Sequence, residues 1–448
     1  GGGLQVANAP VARGMNQFGF SDVGPALRLI SATTWDYDHA DMKDLNAKIY
    51  GKELADNFDK HYKKSIEEDW FPDYSKSGWK MGIFAGNNGA NWRATGSFWR
   101  KTAFEELETI VSLTPDMGVT SMHSDYVLPI AHHYERDDLM LQSRVPYLQV
   151  LNEAVPPLGE SVDDWEANRR LAEAISKQAV ARGIKPIMDA VDGRSVRRDY
   201  TKTLELFTMG GRINNSKDVA QFIINTSHGL PKITFEELSE KGIVKVEGVD
   251  NTSWDNEESP YHTEVVRSVR EKKPYETFTG RQQFYIDHEW FIEFGETLPT
   301  YKEALSLKGY PMRMMMGHAR HGIHSTWRDE SFLLSLQRGE PDIYVNPDDA
   351  EERGVMDGDM VRIYNSAGEF SAMAHVSSGI QTGMLFMYHG WDPKMFKDQK
   401  NFGEVIPTGG LIKPTSMAGD YGHLGYQPLA YAPNQTYKDF TCDFEKSA

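Results

Sequence analysis

The chain has 448 residues, enough for about three domains of roughly 150 residues each. It has 48 basic and 65 acidic residues and a net charge of −17, which argues against nucleic acids and against a polybasic membrane contact. Hydrophobic residues make up 40% of the chain and the mean hydropathy is −0.54, as in globular proteins with a sizeable core. The sequence has no run of about 18 apolar residues, so it predicts no transmembrane helix.

The sequence contains a single cysteine, Cys442. A disulfide needs a pair of cysteines and an iron–sulfur cluster usually needs about four thiolates, so this chain alone can supply neither. We therefore interpret Cys442 as a lone thiol. The chain opens with Gly1-Gly2-Gly3 and lacks the charged and apolar segments of a targeting signal. We expect it to be a fragment or a processed piece of a longer protein.

The first region, up to about residue 160, combines short apolar runs with turn signals. Residues 81–85 form an apolar run that ends in the loop 86–89, which predicts a buried strand that delivers a loop. The loop is either a ligand-binding segment at the carboxyl edge of a sheet or a tight turn. Residues 106–111 are predicted to be helical and residues 126–129 to form another strand. This order of elements predicts a parallel α/β layer.

The middle region, about 161–305, begins with a predicted helix. Ser161 and Asp164 approximate a capping box, and Gly183 supplies the stop. A second helix is predicted to begin after Thr234 and to close at Gly242. Residues 245–278 are polar and lack periodicity, so we expect them to form a surface excursion.

The last region, about 306–448, has many short strand patterns. A strand that meets a turn at 342–347 and a short helix at 348–354 are followed by predicted strands at 360–364, 370–376 and 383–388. Short strands at this spacing predict a compact β-barrel. The methionines between 312 and 316 are interpreted as core residues.

The densest polar cluster spans residues 317–328. His318, His321 and His324 recur at intervals of three, but on a helix His318 and His324 would be about 600° apart and on different faces. No cysteine or carboxylate lies at ligand spacing, which disfavours a metal site.

An anion-binding loop explains this cluster better. Arginines such as Arg320, the three imidazoles and the hydroxyls of Ser325 and Thr326 can all donate hydrogen bonds to a phosphate or a polar heterocycle. The alternative is a loop that only ties a strand to the barrel. Phosphate-loop and hydrolase motifs are absent from the sequence. Composition and spacing alone therefore predict a ligand-binding α/β protein with a β-barrel at its end.

Several segments, in collinear order, resemble the C-terminal half of the large subunit of nitrate-reductase-like molybdenum enzymes. These enzymes belong to the dimethyl sulfoxide reductase family, and the ordered set of matches covers most of the chain. The segments are 124–129 with 134–135, 279–285, 318–326, 346–359, 388–389, and 413–415 with 421–424.

The resemblance implies an α/β fold in which an open α/β cofactor-binding domain precedes a C-terminal six-stranded, double-psi-like β-barrel. Residues 1–160 would belong to the α/β molybdopterin-dinucleotide domain, 161–305 would continue it as a helical and irregular part, and 306–448 would form the barrel. The implied cofactor is bis(molybdopterin guanine dinucleotide) with molybdenum, and tungsten is the alternative metal.

The resemblance also implies cofactor-binding residues. His318 and His324 correspond to the family's two imidazoles that reach the pterins, and Ser325 and Thr326 to its pterin-contacting polar groups. Arg320 agrees with this picture, because each dinucleotide carries a pyrophosphate. Three further positions carried over from the family are Asn87, Lys413 and Thr415. The metal ligand and the N-terminal iron–sulfur cluster of the family match no part of this chain, so we assign no metal ligand and no catalytic residue.

The implied function is oxygen-atom transfer to or from a small substrate by a catalytic subunit, with an inorganic oxyanion such as nitrate or nitrite favoured. The alternatives are a hydrocarbon hydroxylase of the ethylbenzene dehydrogenase type and a non-catalytic cofactor-binding or assembly module. The expected partners are an iron–sulfur electron-transfer beta subunit and, beyond it, a haem-binding gamma subunit, as in anaerobic respiration. A periplasmic or otherwise exported location is expected, with a cytoplasmic one as the alternative.

Overall fold

The computed structural model divides the chain into two compact units. The first unit comprises residues 1–25, 128–283 and 422–426, and the second comprises 26–127, 284–421 and 427–448. Besides isolated positions between 37 and 48 and between 271 and 300, the structure describes residues 51–67, 79–92, 96–141, 147–191, 194–226, 230–245, 307–322, 324–327, 330–336, 339–406, 417–419, 428–431 and 439–447.

A small parallel sheet opens the described part of the second unit. After helix α1 (Lys52–Glu67), strand β1 (Met81–Ala85) pairs in parallel with β2 (Thr109–Thr114), and β3 (Tyr126–Pro129) completes the order β1-β2-β3. The strands predicted at 81–85 and 126–129 and the predicted parallel layer are confirmed. The expectation that 81–85 is buried is wrong, because β1 is an edge strand with Met81 and Ile83 more than half exposed, whereas the central strand β2 is buried. Four short helices accompany the sheet: α2 (Gly89–Trp92), α3 (Gly96–Lys101), α4 (Ala103–Glu106) and α5 (Val119–Met122).

The predicted helix at 106–111 is wrong. The helix there, α4, ends at Glu106, and strand β2 begins at Thr109. Thr109, Ile110 and Val111 are β-branched, which restricts their side chains in a helix and favours a pleated sheet. Because Ile110 and Val111 are buried beside β1, tertiary packing also favours the strand.

The first unit contains the two predicted helices of the middle region. Helix α6 (Asp164–Ala181) begins two residues later than a Ser161 cap would give, because the N-cap is Asp163, whose side chain accepts the backbone N–H of Glu166. The helix predicted to begin after Thr234 is confirmed as α9 (Phe235–Lys241), with a capping box formed by Thr234 and Glu237 and with Gly242 as its C-cap. The other elements of this unit are β4 (Asp138–Leu141), β5 (Tyr147–Leu151), β6 (Ile187–Val191), β7 (Arg194–Arg198), α7 (Thr203–Phe207), α8 (Ser216–Thr226), α9 (Phe235–Lys241) and β8 (Ile243–Lys245).

A closed six-stranded barrel forms the rest of the second unit, as predicted. Its strands are β9 (Met312–Gly317), β10 (Asp342–Val345), β11 (Met360–Tyr364), β12 (Glu369–Val376), β13 (Met384–Tyr388) and β16 (Asp439–Lys446). They run in the order β10-β12-β11-β16-β9-β13, with the pairs β10–β12 and β9–β13 parallel and the remaining pairs antiparallel. Helices α10 (Ser331–Leu336) and α11 (Pro347–Glu352) flank β10, and a separate two-stranded sheet, β14 (Met417–Gly419) with β15 (Pro428–Tyr431), precedes β16.

The barrel interior is apolar and well filled. Met312, Met314 and Met316 alternate inward along β9, so the prediction that these methionines belong to the core is confirmed for them. Cys442 is a free, buried thiol of the same core, and burial raises its pKa. A thiol in this environment is inert, because the reactive form is the thiolate.

Within the described residues, no helix is both long and apolar enough to cross a membrane.

The surface excursion predicted at 245–278 falls almost wholly outside the described residues, and so does the beginning of the chain. The division at residues 160 and 305 stays a prediction.

The first prediction concerns the pH dependence of stability. A hydrogen bond from Arg169, supported by one from Arg170 and opposed by burial, lowers the pKa of Glu166 from 4.5 to about 2. Because the folded-state pKa is depressed, this carboxylate stabilises the fold above pH 4.5 and loses that effect as the pH falls towards 2. Glu166→Gln should therefore lower the free energy of unfolding at pH 7 by about 1 kcal/mol.

Denaturant unfolding between pH 7 and pH 2 measures this effect. The difference between Glu166→Gln and the wild type should shrink below about pH 4.5, and the exposed Glu160→Gln serves as the control. A difference that stays constant over the whole range would contradict the assignment.

Candidate functional site

The candidate site lies at the end of the parallel strand pair β9–β13. Tyr388, the last residue of β13, is in register with Gly317, the last residue of β9. One residue further on, the backbone N–H of His389 donates to the Gly317 carbonyl over 3.0 Å, and the His389 ring Nδ1 approaches the same oxygen at 2.7 Å. A Cβ atom at position 317 would meet the Phe386 ring at 2.7 Å, so glycine is required where these strands end.

Three imidazoles converge at this edge of the barrel. The ring centroid of His318 lies 4.9 Å from that of His324 and 4.5 Å from that of His389. His324 Nδ1 lies 3.0 Å from His389 Nε2. Thus the folded chain brings together two histidines of the predicted cluster and a third histidine from 65 residues further along the chain.

The carbonyl of Gly317 fixes the proton positions in this cluster. A carbonyl oxygen only accepts, so His389 Nδ1 must carry a hydrogen. In neutral His389 the Nε2 atom is then an acceptor, and His324 Nδ1 donates to it. A chain of hydrogen bonds therefore runs from His324 through His389 to Gly317 and sets the orientation of both rings.

His324 adopts a backbone conformation that few non-glycine residues adopt. Its φ angle is +52°, in the left-handed region, where a non-glycine residue costs of order 1 kcal/mol or more. The side chain is exposed, as is that of His318, whereas His389 is only 6% exposed. The surrounding structure therefore holds His324 in a strained position, with two imidazoles presented to the surface above a buried third.

The same cluster has the dimensions of a metal site. One nitrogen from each of the three rings lies within 4.8 Å of the others. However, the hydrogen bonds to Gly317 and His324 engage both ring nitrogens of His389, and a metal ion would have to displace His324 from His389. The arrangement therefore favours hydrogen bonding to a ligand over metal ligation.

The other predicted site residues differ in burial and in contacts. Ser325 is half-buried and accepts a hydrogen bond from the Asn88 amide over 2.9 Å. Thr326 is half-buried, and Arg320 and Asn87 are exposed. The predicted Lys413 and Thr415 lie outside the described residues.

Asn88, next to the predicted Asn87, connects the parallel sheet to the barrel loop. Its side-chain oxygen accepts the backbone N–H of Thr120 over 3.1 Å, while its amide donates to Ser325. A Cβ atom at Gly118 would lie 2.9 Å from the Asn88 side chain, so the glycine makes room for this residue. The loop at 86–89 thus contacts the barrel loop through Asn88, and its role in ligand binding stays a prediction.

Sequence reasoning missed His389 and Asn88 as site residues. The available signal for His389 was its position directly after the predicted strand at 383–388, just as His318 follows the apolar run at 312–316. Parallel pairing brings such strand ends together, but the pairing of two strands in a barrel cannot be deduced from their separate patterns.

A buried ion pair fastens the elements that carry the site. Arg100 of α3 donates from Nη2 to Glu404 Oε1 over 2.8 Å, and the two side chains are only 11% and 12% exposed. Burial lowers the pKa of Arg100, and Glu404 opposes this shift. Arg100 also donates to the Ala90 carbonyl in α2 over 2.5 Å. The pair therefore holds α2 and α3 against the segment that follows β13.

Two family models match the chain. Residues 312–422 match the molydopterin dinucleotide binding domain, and residues 30–174 match molybdopterin oxidoreductase. The first match includes the whole histidine cluster, and the second includes the Asn88 loop.

Curated relatives match over almost the whole chain. The chain is 34% identical to the respiratory nitrate reductase subunit alpha of Haloferax mediterranei, over 94% of this chain and 44% of the relative. It is 33% identical to the chlorate reductase subunit alpha of Ideonella dechloratans, over 94% and 46%, and 32% identical to the dimethylsulfide dehydrogenase subunit alpha of Rhodovulum sulfidophilum, over 91% and 44%. The chain thus spans less than half the length of these relatives.

A solved structure with the same fold is the acetylene hydratase from Pelobacter acetylenicus. The TM-score is 0.52 at 15% identity, and the match covers 91% of this chain and 50% of that one. At this identity the likeness concerns the fold alone.

The second prediction concerns the Arg100–Glu404 pair. Arg100→Met leaves the Glu404 carboxylate buried without its main partner, so we expect the free energy of unfolding to fall by about 3 kcal/mol. Lys80→Met, which breaks an exposed ion pair with Glu108, should cost under about 1 kcal/mol. Denaturant unfolding of both variants measures the contrast, and equal costs would show that the Arg100 pair does not fasten these elements.

Proposed function

This chain belongs to the nitrate-reductase-like (type II) branch of the dimethyl sulfoxide reductase family of molybdopterin oxidoreductases, as part of an alpha subunit, and we propose that it binds bis(molybdopterin guanine dinucleotide) at the barrel edge. The site chemistry supports this proposal. A pterin presents ring nitrogens and carbonyl groups, and a dinucleotide adds a pyrophosphate, so both need directed donors and acceptors. His318, His324, the Ser325 hydroxyl and the Arg320 guanidinium supply such groups from one loop, and His389 adds a third imidazole from the end of β13.

In this proposal, each predicted residue has a role that follows from its chemistry. His318 and His324 hydrogen-bond the pterins, and His389 orients His324. Ser325 and Thr326 contact the same part of the cofactor, while Arg320 neutralises phosphate charge. Asn87, Lys413 and Thr415 are proposed from the family resemblance alone.

The observation that carries the proposal is the convergence of the histidines. Two of them stand on a loop and one follows a strand, and all three meet at the edge of the barrel that matches the dinucleotide-binding domain. The left-handed backbone of His324 and the hydrogen bonds of His389 to the Gly317 carbonyl and to His324 are more than barrel packing requires.

We propose that the complete subunit transfers an oxygen atom to or from an inorganic oxyanion of the nitrate type. Nitrate and chlorate reductases among the relatives support this class of substrate, and the dimethylsulfide dehydrogenase relative supports an organic sulfide as the competing class. The metal of the bound cofactor would supply the redox chemistry, and the residues of this chain would bind and orient the cofactor. Steady-state assays of the native complex with nitrate, chlorate, dimethyl sulfide and ethylbenzene discriminate between these substrates and a hydrocarbon.

We further propose that the complete alpha subunit works with an iron–sulfur beta subunit and a haem-binding gamma subunit. The relatives are themselves named as alpha subunits, which supports a multi-subunit assembly. Electrons exchanged at the molybdenum site need a path to a distant donor or acceptor, and a chain with one buried cysteine contributes no cluster to that path. An exported location remains part of the proposal.

The third prediction tests the cofactor site with a matched pair of variants. His324→Ala removes an imidazole of the cluster, whereas His321→Ala removes an exposed imidazole of the same loop that lies outside it. In the natively purified complex, His324→Ala should reduce bound guanine nucleotide and molybdenum by about tenfold or more, which corresponds to about 1.4 kcal/mol of binding free energy. His321→Ala should retain both.

Nucleotide released by acid and metal measured by mass spectrometry give the result. Full retention in His324→Ala would refute the assignment of this histidine. An absence of metal and guanine in the wild-type complex would favour the non-catalytic assembly module instead.

A further inference from the structure

A buried polar network links helix α2 to the segment after β13. The Asn91 amide donates to Asp392 Oδ1 over 2.7 Å, and the Asn401 amide donates to Asn91 Oδ1 over 2.5 Å. Asn91, Asp392 and Asn401 are 1%, 4% and 0% exposed. The bonded residues are 301 and 310 positions apart along the chain, so the network is not a local turn or helix cap.

Because these side chains are buried, their relative positions are tightly restricted. A buried carboxylate or amide that lacks a partner costs free energy, so each group is held where its partner lies. Asn401 makes the network still more rigid, because its amide also donates to the Trp391 carbonyl over 3.0 Å and its oxygen accepts the Gly403 N–H. Apolar packing would hold the same elements together without fixing their relative position so closely.

The network reaches the candidate site at two points. Asp392 lies three residues after His389 on the same segment. Asn88 lies three residues before Asn91, and its amide faces both Ser325 Oγ at 2.9 Å and Asp392 Oδ1 at a longer 3.5 Å. Through Asn88, the Asp392 carboxylate therefore connects the segment that carries His389 to the loop that holds Ser325.

We propose that Asp392 is a positioning residue that sets the placement of Ser325 relative to the histidine cluster and thereby tunes the bound cofactor. This inference rests on the proposed cofactor site. Asp392 acts through Asn91 and Asn88. Its carboxylate accepts hydrogen bonds from both side-chain amides, and the Asn88 amide also donates a hydrogen bond to the Ser325 hydroxyl oxygen. A displaced Ser325 would alter the hydrogen bonds to the pterin, and small misplacements of such groups have large effects on reaction rates.

The Arg100–Glu404 ion pair provides the matched control. It fastens the same stretches of chain, since Arg100 follows α2 and Glu404 follows Asn401. The pair also bonds Ser97, Lys101 and the Ala90 carbonyl, none of which belongs to the histidine cluster or the Asn88 contact. Glu404→Gln therefore disturbs the attachment of these elements without touching the proposed positioning contacts.

The experiment compares Asp392→Asn and Glu404→Gln in the native complex. Bound guanine nucleotide, melting temperature, the Mo(V) electron paramagnetic resonance signal and the midpoint potential of the loaded fraction are measured for each. We expect Asp392→Asn to shift the g-values and the potential and to lower kcat/KM by about tenfold to a hundredfold. Glu404→Gln should lower the melting temperature while the signal of the loaded fraction keeps the wild-type g-values.

Two results would overturn the inference. One is an Asp392→Asn complex that is loaded and has the wild-type signal and potential. The other is the same spectroscopic shift in both variants, which would mean that only the attachment matters. If Asp392→Asn does not accumulate, Asn88→Ala, in a half-buried residue, must give the expected shift, and an unchanged signal in that variant also refutes the proposal. A wild-type complex without molybdenum and guanine would instead refute the proposed function itself.

Discussion

Parallel pairing of β9 with β13 is the constraint on which the candidate site depends. Parallel strands end at the same edge of a sheet, so the residue after Gly317 and the residue after Tyr388 emerge side by side. Both residues are histidines, and the Gly317 carbonyl accepts hydrogen bonds from the backbone N–H and the ring Nδ1 of His389. His318 and His389 are 71 positions apart along the chain, and the strand pairing is what brings them together.

The sequence predicted the elements better than it predicted their assembly. Alternation of apolar residues along 360–364 and 370–376 was sufficient to identify strands β11 and β12. The helix predicted at 106–111 is a strand from Thr109 onward, because the β-branched Thr109, Ile110 and Val111 favour a sheet. The closed barrel was a reasonable inference from the number of short strands, but its mixed strand order depends on long-range pairing that no local pattern encodes.

The sequence predicted some residues of the candidate site but not others. His318, His324 and Ser325 stood out because polar groups of the same chemistry were dense in one loop, and the fold brings them to one edge of the barrel. His389 could not be found in this way, because it is a single polar residue after its strand, and nothing local distinguishes Asn88 from the neighbouring Asn87 in the loop 86–89. Their role follows from contacts across 65 and 237 positions, which depend on tertiary structure.

Buried polar contacts, rather than apolar packing, hold the loops of the site. The barrel core is apolar and holds its strands by burial of side chains such as Phe370 and Phe440. Around the site, in contrast, Asp392, Asn91 and Asn401 bond one another in the interior. Hydrogen bonds are directional, so they fix the positions of loops where packing alone would allow them to slide.

The most direct test of the account is to measure metal and released guanine nucleotide together on the natively purified complex. The account predicts about one molybdenum or tungsten and about two guanine nucleotides per alpha subunit. Neither metal nor guanine, in a preparation that contains the intact alpha subunit, would contradict the central claim that the histidine edge of the barrel binds the dinucleotide cofactor.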